Sequence, residues 1–231
     1  MTSEELVLRV ENLNVVMGGQ RIIENLSFEV KEGDVVTVLG PNGAGKTVLL
    51  KTLLGLLPYE GTVTWKPGMR LGYVPQRLPF IRDIPLSVQD FFRLKKTSDK
   101  DAEHILYSVG FRENYAQRRM GDLSSGQFQR ILIAWALISN PQVLLFDEPT
   151  TGIDFHGEET VYALLARLKK ERNLTILLVT HDLSVVYKFS TDVLCLNKHM
   201  VCQGPPRKAL TPQSLRELFG EEVKFYQHRQ G

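Results

Sequence analysis

The chain has 231 residues, 43% of them hydrophobic and 23% charged, a balance that excludes a disordered chain and supplies one sizeable domain or two small ones. Its formal charge of +2 builds no basic field, so nucleic acid is not an expected partner. No apolar run approaches the roughly 18 residues of a membrane span, and "MTSEELVL" begins with acids where a secretory leader is basic and then apolar. Two cysteines suit a reducing compartment better than a disulfide framework, so the expected location is cytoplasmic.

In chain order, "LVLRVENL" at 6–13 and "IIENLSFEV" at 22–30 lean towards alternation and predict half-exposed antiparallel strands. "VVTVLG" at 35–40, "RLGYVP" at 70–75, "VLLF" at 143–146 and "TILLVT" at 175–180 are apolar at successive positions. Such runs read as strands covered on both faces, hence an α/β fold with a mostly parallel sheet flanked by helices. From about 86 to 140 the pattern is helical: "SVQDFFRL", "DKDAEHILYSVG", then a helix after "LSSGQ" with Phe128, Ile131, Trp135 and Ile138 on one face. No internal repeat or low-complexity linker appears.

In an open parallel sheet, ligands bind beyond the carboxyl ends of the strands, so the residues following each strand carry the chemistry. After the first such strand, "GPNGAGKT", Gly40 to Thr47, fits the phosphate-loop pattern in full and stands between a strand and a helix. Gly40, Gly43 and Gly45 permit the backbone angles that turn successive N–H groups inward towards phosphates. Pro41, Asn42, Ala44 and Val48 complete the cradle, Lys46 adds a point charge, and the Thr47 hydroxyl suits Mg²⁺. After "VLLF", Asp147 suits the Mg²⁺ shell and Glu148 is left as general base for the attacking water. Gln76 after "RLGYVP" is read as reaching metal and water, and His181 after "TILLVT" as touching the γ-phosphate. In "LSSGQ", Ser124 and Ser125 are good helix caps, Gly126 permits close approach, and the first-turn amides form a second anion site. A nucleotide has one γ-phosphate, so if both sites grip it they are expected to come from different subunits.

Together these residues resemble an ATP-binding cassette ATPase, the nucleotide-binding subunit of a membrane transporter, over essentially the whole chain. "GPNGAGKT" is similar to the Walker A loop, Gln76 to the Q-loop, "LSSGQ" to the signature, "VLLFDE" to Walker B, "TTGID" to the D-loop and His181 to the switch histidine. The resemblance implies a single ATPase domain over 1–231. It would comprise a P-loop NTPase three-layer core with an N-terminal antiparallel β subdomain (about 1–85 and 141–231) and a helical signature subdomain (about 86–140). It further implies a head-to-tail pair with a second copy, in which Ser124, Ser125, Gly126 and Gln127 act in trans and Asp154 couples the two sites. ATP and Mg²⁺ are the implied cofactors. A membrane permease and, indirectly, an extracytoplasmic substrate-binding protein are the implied partners, with the chain peripheral on the inner face of the cell membrane.

Three positions depart from that family: Met17 stands where an aromatic stacks on adenine, Ser125 where glycine is usual, and Trp135 where arginine is frequent. Core packing is the expected reason for Trp135. The C-terminal "VLCLNKHMVCQGPP" and "LRELFG" are similar to the ATPases of zinc and manganese importers. A two-residue turn at Lys198 and His199 would set Cys195 opposite Cys202, as a buried thiol pair or, with His199, a regulatory metal site. Part of the stretch 78–92, with Phe80, Ile81 and Ile84, is expected to line a groove for a permease helix, the alternative being that these residues only fill the helical lobe. The expected function is therefore ATP-driven import of a divalent metal such as zinc or manganese. The alternatives are another substrate or an exporter, and then a non-transport ATPase. Thr47 and Leu123 are too close for the long heptad arms of a chromosome-associated ATPase.

Overall fold

The structure, a computed structural model, describes residues 5–76, 84–112, 115–149 and 155–220. Its strands are β1 (Leu6–Met17), β2 (Gln20–Lys31), β3 (Val35–Leu39), β4 (Glu60–Trp65), β5 (Leu71–Val74), β6 (Val143–Asp147), β7 (Thr175–Thr180), β8 (Asp192–Asn197) and β9 (His199–Gly204). The helices are α1 (Lys46–Leu53), α2 (Val88–Arg93), α3 (Asp99–Ser108), α4 (Ser125–Leu137), α5 (Phe155–Arg172), α6 (Leu183–Phe189), α7 (Pro206–Ala209) and α8 (Pro212–Phe219). They fall into two compact units, one of Met1–Val7, Lys31–Asp34 and Trp65–Leu178, the other of Leu8–Val30, Val35–Thr64 and Val179–Gly231.

In the second unit, β2, β1 and β4 lie side by side in that order. A two-residue turn at Gly18 and Gly19, both at positive φ (56° and 77°), joins β1 to β2 as a hairpin. The buried positions of β1 change phase along the strand, from Leu8 and Val10 to Leu13 and Val15, and those of β2 from Ile23 to Leu26, Phe28 and Val30. Asn12 (φ 49°) and Asn25 (φ 46°) stand at the two changes of phase. Asparagine tolerates the left-handed region, so one residue there shifts the alternation without losing the strand. The Asn12 N–H donates to Ser27 Oγ over 2.8 Å, and the Asn25 N–H to Asn14 Oδ1 over 2.9 Å.

β3 is buried at all five positions and pairs in parallel with β8, Val36 opposite Asp192 through Leu39 opposite Cys195. β8 and β9 then form an antiparallel hairpin. Leu39, Val186, Val193, Cys195, Leu210, Leu215 and Leu218 make one buried cluster, so α6 and α8 cover this part of the sheet. The hairpin differs from the two-residue turn expected: Asn197 pairs with His199 around Lys198 alone (φ 63°), and a register shift follows between Cys195 and Leu196. Cys195 still pairs with Cys202, the extra residue being absorbed within the ladder as a bulge.

In the first unit β5 pairs in parallel with β6, Leu71 opposite Val143 through Val74 opposite Phe146, and β7 is the next neighbour. Parallel pairing and full burial of β6 and β7 agree with the uninterrupted apolar runs. A Cβ on Gly72 would meet the Leu144 side chain at 2.6 Å, so a larger residue here requires that side chain to shift. α4 packs against both α3 and α5, so Leu132, Ile133, Ala134, Ala136 and Leu137 are buried along with Phe128 and Ile131. The single apolar face read from the sequence is thus too narrow: a helix with neighbours on two sides is apolar on two sides.

Candidate functional site

The phosphate loop leaves β3 in the second unit. Continuing the β3–β8 register brings Gly40 level with Leu196, and a Cβ on Gly40 would fall 2.1 Å from the Leu196 carbonyl oxygen. Only glycine fits. Gly43 (φ 81°) and Gly45 (φ 96°) adopt the left-handed conformation that inverts the loop. Gly45 is the N-cap of α1 and supplies no side-chain cap hydrogen bond. Lys46 is buried, its ammonium donating to the carbonyls of Gly40 (2.8 Å) and Pro41 (2.9 Å). The loop is tied to the β8–β9 turn, where the Lys198 N–H donates to Ala44 O over 3.2 Å. A buried ammonium beside an uncapped helix start fits a polyphosphate anion. Asn42 and Gly43 are exposed, Pro41, Thr47 and Val48 partly so, and Ala44 is buried.

In the first unit the β5–β6 register decides which side chains meet. Residues 72 apart lie level, so Gln76 reaches Glu148, its Nε2 donating to Oε2 over 2.8 Å. Glu148 has φ 45°, a conformation that costs a non-glycine residue about 1 kcal/mol or more and gathers at functional sites. Asp147 is buried at the end of β6. Tyr73 shares its face of the sheet by alternation, and the Tyr73 phenol donates a hydrogen bond to the Asp147 carboxylate. Burial first, then the negative charge of Asp147 and that hydrogen bond, push the Tyr73 phenol up to about 12. Sequence reading missed Tyr73, because its partner is set by strand register and no local motif announces it. The Thr47 hydroxyl of the second unit is a hard donor of the kind Mg²⁺ takes, and the side-chain oxygens of Asp147 and Gln76 in the first unit are of the same kind. Among the described residues no group of three or more His, Cys, Asp or Glu could hold a metal by itself. Such a donor set needs oxygens from the nucleotide to complete it.

The signature opens α4 through a reciprocal capping box. Ser124 Oγ accepts the Gln127 N–H (3.3 Å), and Gln127 Oε1 accepts the Ser124 N–H (3.0 Å). Ser124 Oγ accepts that bond and its hydroxyl proton remains available for a second partner. Gln127 Nε2 meets the Tyr115 hydroxyl at 3.1 Å, a contact not read from the sequence. Ser125 and Gly126 form the first turn, partly exposed.

His181 is exposed in the turn between β7 and α6, followed by Asp182, which caps α6 by accepting the Ser184 N–H at 2.7 Å. Met17 is 44% exposed at the end of β1. Asp154, Phe80 and Ile81 lie outside the described residues, while Ile84 is exposed. Trp135 stacks on Phe91 (centroids 5.3 Å apart, planes at 24°) with the Lys95 ammonium 3.8 Å over its ring, which agrees with a packing role. Cys195 and Cys202 are joined in a disulfide, Cα atoms 4.8 Å apart. This corrects the thiol pair read from the sequence: the register brings the two sulfurs into bonding reach and leaves no thiolate for a regulatory metal. Among the described residues no helix is long and apolar enough to cross a membrane.

The profile of the ABC transporter family matches residues 23–151. The zinc import ATP-binding protein ZnuC of Magnetococcus marinus is 40% identical over 97% of this chain and 88% of its own. The protein of the same name from Cereibacter sphaeroides is 41% identical over 96% of this chain and 93% of its own. Among solved structures, an inward-facing ABC transporter described as of metal-chelate type superposes with a TM-score of 0.83 at 31% identity, covering 93% of this chain and 89% of that one.

Proposed function

We propose, from the premise that this chain belongs to the ATP-binding cassette (ABC) transporter family, that it drives zinc import through a separate membrane permease. As a member of that family it is an ATP-binding, ATP-hydrolysing transporter subunit. The observation that carries the zinc reading is near-full-length similarity, at 40% and 41% identity, to proteins named for zinc import.

In this reading Gly40, Pro41, Asn42, Gly43, Ala44, Gly45, Lys46, Thr47 and Val48 wrap the β- and γ-phosphates, with Lys46 neutralising charge and Met17 lying against the base. Thr47, Asp147 and Gln76 would hold Mg²⁺, which would supply neutralisation of the phosphate oxygens. Tyr73 fixes the Asp147 carboxylate. Glu148, oriented by Gln76 Nε2, takes the proton of the attacking water, and His181 fixes the γ-phosphate. Ser124, Ser125, Gly126 and Gln127 of a second copy close over the same nucleotide in trans, with the Ser124 hydroxyl proton and the α4 amides as donors, and Asp154 couples the two sites. Residues of about 86–140 act as the signature subdomain against a core of about 1–85 and 141–231. The pair sits on the inner face of the membrane beneath its permease, supplied by an extracytoplasmic binding protein. Closure on ATP and reopening after hydrolysis supply the stroke.

A second reading, import of a chelated metal, is favoured by the likeness to the metal-chelate type transporter. ATP turnover with the neighbouring permease in liposomes separates the two. Free Zn²⁺ delivered away from the ATPase is expected to stimulate turnover together with zinc uptake, and Mn²⁺ tests breadth. Stimulation by a metal chelate alone favours the second reading; indifference to every metal removes both.

A further inference from the structure

The hydrogen-bond pattern at the start of α4 assigns the Gln127 amide without ambiguity. The Ser124 N–H can only donate, so the atom facing it is Oε1 and the atom facing Tyr115 is Nε2. The phenol oxygen therefore accepts from Gln127. Tyr115 is itself gripped: Phe111 lies 4.4 Å from its ring centroid, and the Arg118 guanidinium 4.4 Å over it. Arg130 sits 4.6 Å over the Phe111 ring. Gln127 and Arg130 are three apart and share one face of α4, so the contacts run from α4 through Phe111 and Tyr115 and return to α4 one turn earlier. The Tyr115 ring is not sealed in a core. It lines an open cavity of 1050 Å³ with Tyr107, Phe111 and Arg112, where water could satisfy a phenol, so burial alone does not demand the bond to Gln127.

We propose that Tyr115 is a positioning residue of the signature: its hydroxyl fixes the Gln127 side chain, which holds the Ser124 backbone and so aims the Ser124 hydroxyl and the α4 amides. This rests on the reading that the signature closes over ATP held by a second copy. In this reading Tyr115 acts through Gln127 and not on the nucleotide. Its loss acts on closure and turnover, and leaves ATP binding by a single copy unaltered.

The test is Tyr115→Phe, which keeps the ring and removes only the oxygen. A net hydrogen bond of about 1 kcal/mol corresponds to roughly a fivefold effect. The expected result is a kcat lowered about three- to tenfold, with KM for ATP unchanged and the melting temperature lowered by no more than about 4 °C. Amide exchange at Ser124 should accelerate by a similar factor. In the Gln127→Leu background, which has no amide to hold, Tyr115→Phe should add nothing. Wild-type turnover in Tyr115→Phe, or an additive loss on top of Gln127→Leu, overturns the proposal. Ser124 exchange that does not change overturns it independently of any activity. If the wild-type chain neither dimerises in ATP nor hydrolyses it, the reading of the signature fails, while the exchange measurement still decides whether Tyr115 holds Gln127.

Discussion

Gln76 and Glu148, 72 residues apart, share a 2.8 Å hydrogen bond because both stand two positions beyond a paired residue of the β5–β6 ladder. The register that aligns Val74 with Phe146 also aligns the amide with the carboxylate, and the φ of 45° at Glu148 is held against its intrinsic cost.

Glu148→Gln keeps the length and shape of the side chain and removes its basicity. ATP hydrolysis is expected to fall about 10²- to 10⁴-fold, the range of general-base catalysis. ATP affinity should be retained, and a dimer should persist in ATP. Phosphate release, nucleotide titration and size-exclusion chromatography with ATP measure the three. Turnover within a few fold of wild type would remove Glu148 from the base role.

Two glycines of the phosphate loop separate steric from conformational demand. A Cβ at Gly40 meets the Leu196 backbone oxygen at 2.1 Å, and backbone inside a sheet cannot step aside. At Gly43 a Cβ meets nothing within 4 Å, and the cost comes from φ 81° alone. Gly40→Ala should therefore be the worse variant, losing about 3 kcal/mol or more and most ATP binding, and Gly43→Ala about 1 kcal/mol. Urea midpoints and ATP titration rank them; the reverse order would contradict the close approach of β8.

The sheet strands and the phosphate loop were legible because each depends on neighbours in sequence: uninterrupted apolar runs for β3, β6 and β7, all fully buried, and a fixed glycine spacing from Gly40 to Gly45, whereas β5, read as covered on both faces, is buried only at alternate positions. The capping box of Ser124 and Gln127 was half legible, since the serine announces a cap while the return bond from Gln127 needs the helix in place. Tyr73 and Tyr115 were not legible. Their partners Asp147 and Gln127 are fixed by strand register and by the packing of Tyr115 with Phe111 and Arg118, and tyrosine in an apolar run reads simply as strand or core. β4 escaped notice for a related reason: its outward positions hide its alternation, and only the approach of Gly61 to Asn12 O, 2.4 Å from a built Cβ, explains the glycine in it.

Trp135 is half-buried, stacked on Phe91 and covered by Lys95, which also donates to the Trp135 carbonyl over 3.0 Å. Burial lowers the Lys95 ammonium below its usual value. The indole Nε1 is buried without a hydrogen-bond partner among the described residues, so the ring serves by area and stacking and its donor is a liability. Trp135→Ala should cost about 3 kcal/mol. Trp135→Phe should cost at least 1 kcal/mol less, since it keeps a ring on Phe91 and deletes the orphan N–H. Chemical denaturation of both variants checks the difference, and equal losses would mean the indole nitrogen matters more than the stack.

Tyr73 gives the strand-end carboxylate a pH signature. Its phenol titrates near 10 when unfolded and at about 12 in the folded chain, through burial and the Asp147 carboxylate. Below about pH 10 both states hold the proton and the Tyr73–Asp147 bond contributes in full. Between about pH 10 and 12 the unfolded phenol has lost its proton while the folded one keeps it, so unfolding releases a proton and stability falls as pH rises. Tyr73→Phe has no such proton. The stability difference between wild type and Tyr73→Phe, read from urea midpoints, should therefore be constant from about pH 7 to 9 and shrink or reverse by about pH 11.5. Other groups titrate in that range too, but they cancel in the difference. A gap that stays constant through pH 11 would mean that the phenol does not donate to Asp147. In that case Tyr73→Phe should also leave ATP turnover untouched, whereas an Asp147 released from its donor is expected to lower turnover a few fold.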